Sequence, residues 1–191
     1  MSRQTILIIR HADKPIEGSE GGVDAAGLPD PRSLTPRGWQ RAGAWAALLV
    51  PALIVPAPGA QPILPRPTAI FASALAKRPD GGGRSRRPLE TVIPMAARLG
   101  LEIDQSFTKG MESALAVAIS NIDGVVLVSW QHEHIATIAR ALAPGAPNIP
   151  AAWPADRFNV LFRFDRDGPQ FDWIFEQFSP VMLAGDSPDP L

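Results

Sequence analysis

The stretch TILIIRHADKP, Thr5 to Pro15, carries the reading of the chain. Thr5 to Ile9 is a continuous apolar run, the pattern of a strand buried on both faces in a parallel sheet. The run ends directly on Arg10 and His11, two side chains that favour water. Either they mark the point where the strand surfaces, or the strand is a rigid mount for chemistry.

The whole chain narrows that choice. Its 191 residues suit one domain spanning 1–191, and 46% hydrophobic residues suffice for a core without metal or disulfide. A net charge of −1 and a pI near 6.3 argue against nucleic acid or an anionic membrane as the main partner. There are no cysteines, which excludes thiol nucleophiles and thiolate metal sites. The apolar segment AGAWAALLVPALIVPAPGA is broken by Pro51 and Pro56, and the N-terminal apolar run is too short for a signal-peptide core. A soluble cytoplasmic protein is expected.

Further along, strands and helices alternate. LTPRGWQRAGAWAALL opens a helix with Thr35 as N-cap and Pro36 at the first helical position; Trp39, Ala42, Ala46 and Leu49 share its apolar face. TAIFAS, Thr68 to Ser73, reads as a second strand. A Gly- and Arg-rich insertion at 76–86 then leads into a helix starting at Pro88, with a kink or restart expected at Pro94 and an end before Gly100. LEID is a short third strand and Ser113 to Ser120 a short helix. GVVLVSW is a fourth, buried strand, followed by a helix that buries Ile135, Ile138, Ala139 and Leu142. RFNVLFRFD alternates with period two, placing Phe158, Val160, Phe162 and Phe164 on one face. The turn signal Asp167-Gly168 before FDWIFEQF makes this the first arm of a hairpin. The last dozen residues read as a loose tail. The expected fold is a three-layer α/β/α sandwich, a mainly parallel sheet with an antiparallel C-terminal edge hairpin.

In such sheets ligands bind beyond the carboxyl ends of the strands. His11 follows the first strand, and His132 and His134 follow the fourth, while arginines gather at Arg10 and at Arg84, Arg86 and Arg87. If those strand ends lie side by side, the mixture suits a phosphoryl group. Arginine's fork matches phosphate oxygens, a helix N-terminus adds N–H donors, and neutral imidazole is a competent nucleophile toward phosphorus. No Walker A loop and no carboxylate cluster for magnesium is present, so this chemistry runs without metal or other cofactor.

These residues give the chain a resemblance to the histidine phosphatase superfamily, the phosphoglycerate mutase-like proteins. LIIRHADKP resembles the family's strand ending in Arg-His-Gly, with Ala12 at the glycine position. LTPRGWQRA resembles its next element. IFAS followed by RPLET supplies Ser73, Arg87 and Thr91 for its second arginine motif, VVLVSWQH supplies His132, and WPADRFNVLFRFD is similar to its closing strand. The resemblance implies His11 as the nucleophile, Arg10 and Arg87 as phosphoryl ligands, and His132 as a donor stabilising the transition state. One branch of the family places its proton-donating carboxyl where Glu112 stands; another places it directly after the second histidine, where Glu133 stands. Lys14, Ser73 and His134 are the remaining candidates for substrate contact. The implied activity is hydrolysis of a phosphorylated small molecule or phosphoprotein. A phosphoglycerate-type mutase and a phosphate-binding protein without turnover are the alternatives, and the sequence leaves oligomeric state open.

Overall fold

The computed structural model describes residues 3–18, 20–51, 64–75 and 84–191. Its elements run β1 (Gln4–Arg10), α1 (Pro36–Leu49), β2 (Ala69–Ala72), α2 (Arg87–Leu99), β3 (Ile103–Asp104), α3 (Glu112–Ser120), β4 (Gly124–Trp130), α4 (His132–Leu142), β5 (Leu161–Arg166) and β6 (Ile174–Phe178). The six strands form one sheet in the order β3-β2-β4-β1-β5-β6. β1, β2, β3 and β4 are mutually parallel where they pair, and β5 and β6 close the sheet as antiparallel neighbours. This is the expected sandwich.

Every residue of β1 is buried, because the strand lies inside the sheet with helices on both faces. Ile6 and Ile8 pack with residues of α3, α4 and β5, whereas Leu7 and Ile9 pack with Trp45, Leu49, Val92 and Met95 of α1 and α2. A strand covered on both sides has no polar face, so the sequence signal is an unbroken apolar run rather than alternation.

The helix signals hold where they are local. Thr35 Oγ1 accepts the Gly38 N–H at 3.1 Å, as an N-cap should, with Pro36 behind it. Gly100 ends α2 in the left-handed conformation. Pro94, however, neither divides nor restarts α2, which runs through it from Arg87 to Leu99. Packing of Val92, Met95 and Ala96 into the core outweighs the one backbone hydrogen bond that proline removes. The period-two run at 157–165 also starts later as strand: β5 begins at Leu161, and Phe158 belongs to the preceding loop.

The C-terminal segment is not loose. Asn159 Nδ2 donates to Pro180 O at 3.1 Å and Ser187 O at 2.7 Å, and Arg157 Nη2 donates to Ser179 Oγ and Asp189 O. Most of the insertion at 76–86 lies outside the described residues. Among the described residues no helix is long and apolar enough to cross a membrane.

Candidate active site

Parallel pairing in register brings the two histidine strand ends together. Arg10 of β1 lies opposite Trp130 of β4, and the ladder continues one step as His11 N–H donates to Trp130 O at 3.0 Å. The His11 and His132 rings therefore stand edge to face with centroids 6.3 Å apart.

His11 Nδ1 lies 2.8 Å from Ala12 O. A carbonyl oxygen can only accept, so Nδ1 carries the proton and Nε2 keeps its lone pair. Burial first, then the Arg10 charge, holds the His11 pKa well below the ordinary 6.5, and the ring is neutral at pH 7. His132, the first residue of α4, is depressed by the same two causes against the opposing pull of Glu133. Its Nδ1 lies 3.2 Å from Glu133 Oε2 but out of line for a hydrogen bond, so the contact is electrostatic.

Arg10 is fully buried. Its Nη1 donates to Pro154 O at 3.0 Å and Arg157 O at 3.1 Å, and its guanidinium lies 3.9 Å from the centre of the Phe158 ring. Nε and Nη2 are buried without a hydrogen-bond partner among the described residues. Burial lowers the Arg10 pKa to about 10, which still leaves it charged at neutral pH. A buried guanidinium with one of its two-nitrogen edges unfilled is matched to an oxyanion. Arg87, at the start of α2, donates to Ser33 O at 3.2 Å and Pro31 O at 2.9 Å. Burial lowers its pKa, while Glu90, Asp30 and Glu133 oppose that shift. Thr91 Oγ1 donates to Arg87 O at 2.7 Å and accepts Ala12 N–H at 2.8 Å, which ties the start of α2 to the backbone after His11.

The two candidate acids differ. Glu133 is half exposed; partial burial works to raise its pKa, but its own backbone N–H, His132, Lys109 and Lys14 together hold it below the usual carboxylate range. Glu112 is buried at the start of α3. Its carboxylate accepts Trp130 Nε1–H at 3.1 Å and Gly110 N–H at 3.0 and 3.1 Å, and His134 Nδ1 lies 3.5 Å from Oε1. His134 is thus tied to Glu112, and Trp130 is a buried strut. The Ser73 hydroxyl accepts Gln131 Nε2–H at 2.9 Å, joining the ends of β2 and β4. Lys14 lines a cavity of about 880 Å³ together with Arg37, Gln40, Asp156 and Phe158.

Two motif details acquire reasons. Ala12 has a negative φ, and its methyl packs with Leu34 and Ala42, so this position requires no glycine. Gly38 does require one: a Cβ there would sit 2.4 Å from Asp13 O. The bare glycine lets the start of α1 press against the backbone that follows His11.

Sequence reasoning passed over Phe158 as a site residue, Lys109, and the ion pairs of Asp13, Arg41 and Asp186. Arg41 did carry a signal, a charged residue on the buried side of α1 beside Ala42 and Trp45.

No protein-family model and no curated protein matches the chain. Solved structures do. One titled mycobacterial hydrolase 1 is 15% identical with a TM-score of 0.56, over 91% of this chain and 97% of that one. The protein histidine phosphatase SixA complexed with tungstate is 16% identical with a TM-score of 0.54, over 92% and 96%. A mycobacterial glucosyl-3-phosphoglycerate phosphatase is 15% identical with a TM-score of 0.55, over 94% and 99%. The chain has the fold of the histidine phosphatases.

Proposed function

We propose that the protein is a metal-independent phosphatase working through a phosphohistidine on His11. The observation that carries this reading is the pairing of a neutral imidazole, with its Nε2 lone pair free, with the unfilled Nε/Nη2 edge of the neighbouring buried Arg10. In the first step the Nε2 lone pair attacks phosphorus, an N–P bond forms, and the bond to the leaving group breaks with its electron pair on that group. In the second, water attacks phosphorus, the N–P bond breaks, and orthophosphate leaves with the imidazole restored. Arg10, Arg87 and His132 stabilise charge on the equatorial oxygens, and the helix N-termini behind Arg87 and His132 add to it.

The leaving group is a good one, as in a phosphohistidine, a phosphoanhydride or an aryl phosphate. Glu133 is held ionised, and the Glu112 oxygens are already engaged by the N–H groups of Trp130 and Gly110, so neither carboxyl is set up to protonate a poor leaving group. The leaving group would occupy the cavity beside Lys14 and Phe158. The likeness in fold to a protein histidine phosphatase supports the same substrate class. Phosphorylated protein or small molecule, the substrate is met in the cytoplasm on this reading.

Hydrolysis of an aryl phosphate with and without EDTA is the direct trial. Turnover is expected to survive chelation and to fall by about 10³-fold or more in His11→Ala. Activity that needs metal, or that persists without His11, overturns the reading. Vanadate binding without any turnover identifies a phosphate-binding protein instead.

A further inference from the structure

Asp13 stands two residues beyond His11 and is held as no ordinary loop carboxylate would be. Arg41 of α1, with only 2% of its side chain exposed, grips it with one two-nitrogen edge: Nε to Oδ2 at 2.5 Å and Nη2 to Oδ1 at 3.2 Å. The third nitrogen of Arg41 donates to Asp186 Oδ2 at 2.8 Å. Asp186 is itself 5% exposed and is fixed by the N–H groups of Met182 and Leu183 at 3.0 and 2.9 Å. Arg37 closes the set, 3.3 Å from Asp13 Oδ1 and donating to Ala184 O at 2.6 Å. Two arginines and two carboxylates thus form a nearly neutral cluster that joins the segment after β1 to α1 and the C-terminal segment.

The cluster bears on the nucleophile through one peptide group. The carbonyl that accepts His11 Nδ1–H is that of Ala12, and its peptide plane is shared with Asp13. That plane is pinned on one side by Ala12 N–H on Thr91 Oγ1 at 2.8 Å and on the other by the Asp13 anchors, including Thr35 N–H on Asp13 O at 3.1 Å. Release of the Asp13 carboxylate lets the plane turn. The acceptor of Nδ1–H moves with it, and the direction of the Nε2 lone pair follows.

We propose that Asp186 is a positioning residue for His11, acting through Arg41 and Asp13, so that the C-terminal segment is a built part of the site. Without Asp186 the buried Arg41 must share Asp13 with no counterweight or draw in water, and either change loosens the Asp13 fork. In-line attack tolerates little misalignment; a displacement of about 1 Å can cost about 100-fold in rate. The activity arm of the test rests on the phosphatase reading, whereas the spectroscopic arm does not.

The test compares Asp186→Ala and Asp186→Asn with the natural chain by aryl phosphate kinetics and by NMR of the His11 ring nitrogens. Asp186→Ala is expected to lower kcat about 10- to 100-fold with KM changed less than about threefold, and to raise the fraction of the tautomer protonated on Nε2. Asp186→Asn keeps an oxygen for Arg41 and for the Met182 and Leu183 N–H groups, and should recover part of both signals. A folded Asp186→Ala protein with kcat within about twofold and an unchanged tautomer signal overturns the proposal. If that variant does not fold, Asp186→Asn decides on the same readouts, with normal values counting against the proposal. If the natural chain shows no turnover, the functional reading falls, and the His11 tautomer alone decides the role of Asp186.

Discussion

The two ends of the central strands handle buried polar groups in opposite ways. At the amino end, Gln4 donates to Ile122 O at 3.0 Å and accepts Arg166 Nε–H at 2.6 Å, while Thr5 donates to Asp165 at 2.6 Å. Arg166 also bonds Ser120 O and stacks 4.3 Å from the Trp173 ring centre. These groups are satisfied from within. At the carboxyl end, Arg10 Nε and Nη2, Ser129 Oγ, Gln131 Oε1 and His132 Nδ1 are all buried without a hydrogen-bond partner among the described residues. A folded chain seldom leaves buried polar atoms unpaired, because each costs about 1–3 kcal/mol. Their concentration around His11 marks the place where the described residues leave polar groups open to a ligand. Cavity size does not make this distinction: the amino end also has a cavity, of about 680 Å³, beside Arg166 and Trp173.

The sharpest way to break the comparison is to exchange an arginine at each end. Arg10→Ala is expected to lower kcat/KM for an aryl phosphate by about 10³-fold, since in the proposed mechanism it removes the charged donors for the developing oxyanion. Arg166→Met should leave kcat within about twofold and cost about 1–2 kcal/mol of stability in urea titration. Equal kinetic losses from both would erase the difference between the ends.

A second test uses the leaving group. If neither carboxyl donates a proton, as proposed, kcat/KM for phosphoimidazole or an aryl phosphate should exceed that for an alkyl phosphate by about 100-fold or more. Similar values across the series would mean that Glu112 or Glu133 delivers a proton after all.

The third concerns pH. His11 and His132 have folded pKa values below the unfolded 6.5, so the unfolded chain binds more protons at mildly acidic pH. Their contribution to stability is complete above about pH 6.5 and is lost as pH falls toward the folded values. The urea midpoint should therefore drop between about pH 7 and pH 5, and His11→Gln should flatten that drop. In kinetics, the acid limb of kcat/KM should lie below pH 6.5.

The smallest effect expected is on stability, at the start of α1, where the Thr35 N–H bond to Asp13 O survives loss of the side chain. Thr35→Ala removes the cap of α1 and should cost about 1 kcal/mol in the same titration.

Much of the fold was legible because its signals are local. Thr5 to Ile9, Gly124 to Trp130, the Thr35-Pro36 start and Gly100 each act through neighbouring backbone, and each appears where the pattern predicts. Pro94 misled for the complementary reason: its local cost is real, but burial of the α2 face decides. The tail misled because its polar composition reads as solvent-facing, whereas Asp186 and Ser187 find partners 145 and 28 residues away along the chain.

For the site the division is similar. The sequence alone determined that Arg10 and His11 end a buried strand, and that His132 follows another, since apolar runs and their termini are written in consecutive residues. Only the tertiary structure decided that these ends meet in register, that Nε2 is the free nitrogen of His11, and that Glu112 is bound while Glu133 is exposed. It alone joined Asp13 to Arg41 and Arg41 to Asp186. Hydrogen bonds and charge pairs depend on distances of about 3 Å between side chains that the sequence separates widely, and only packing of the sheet and helices sets those distances.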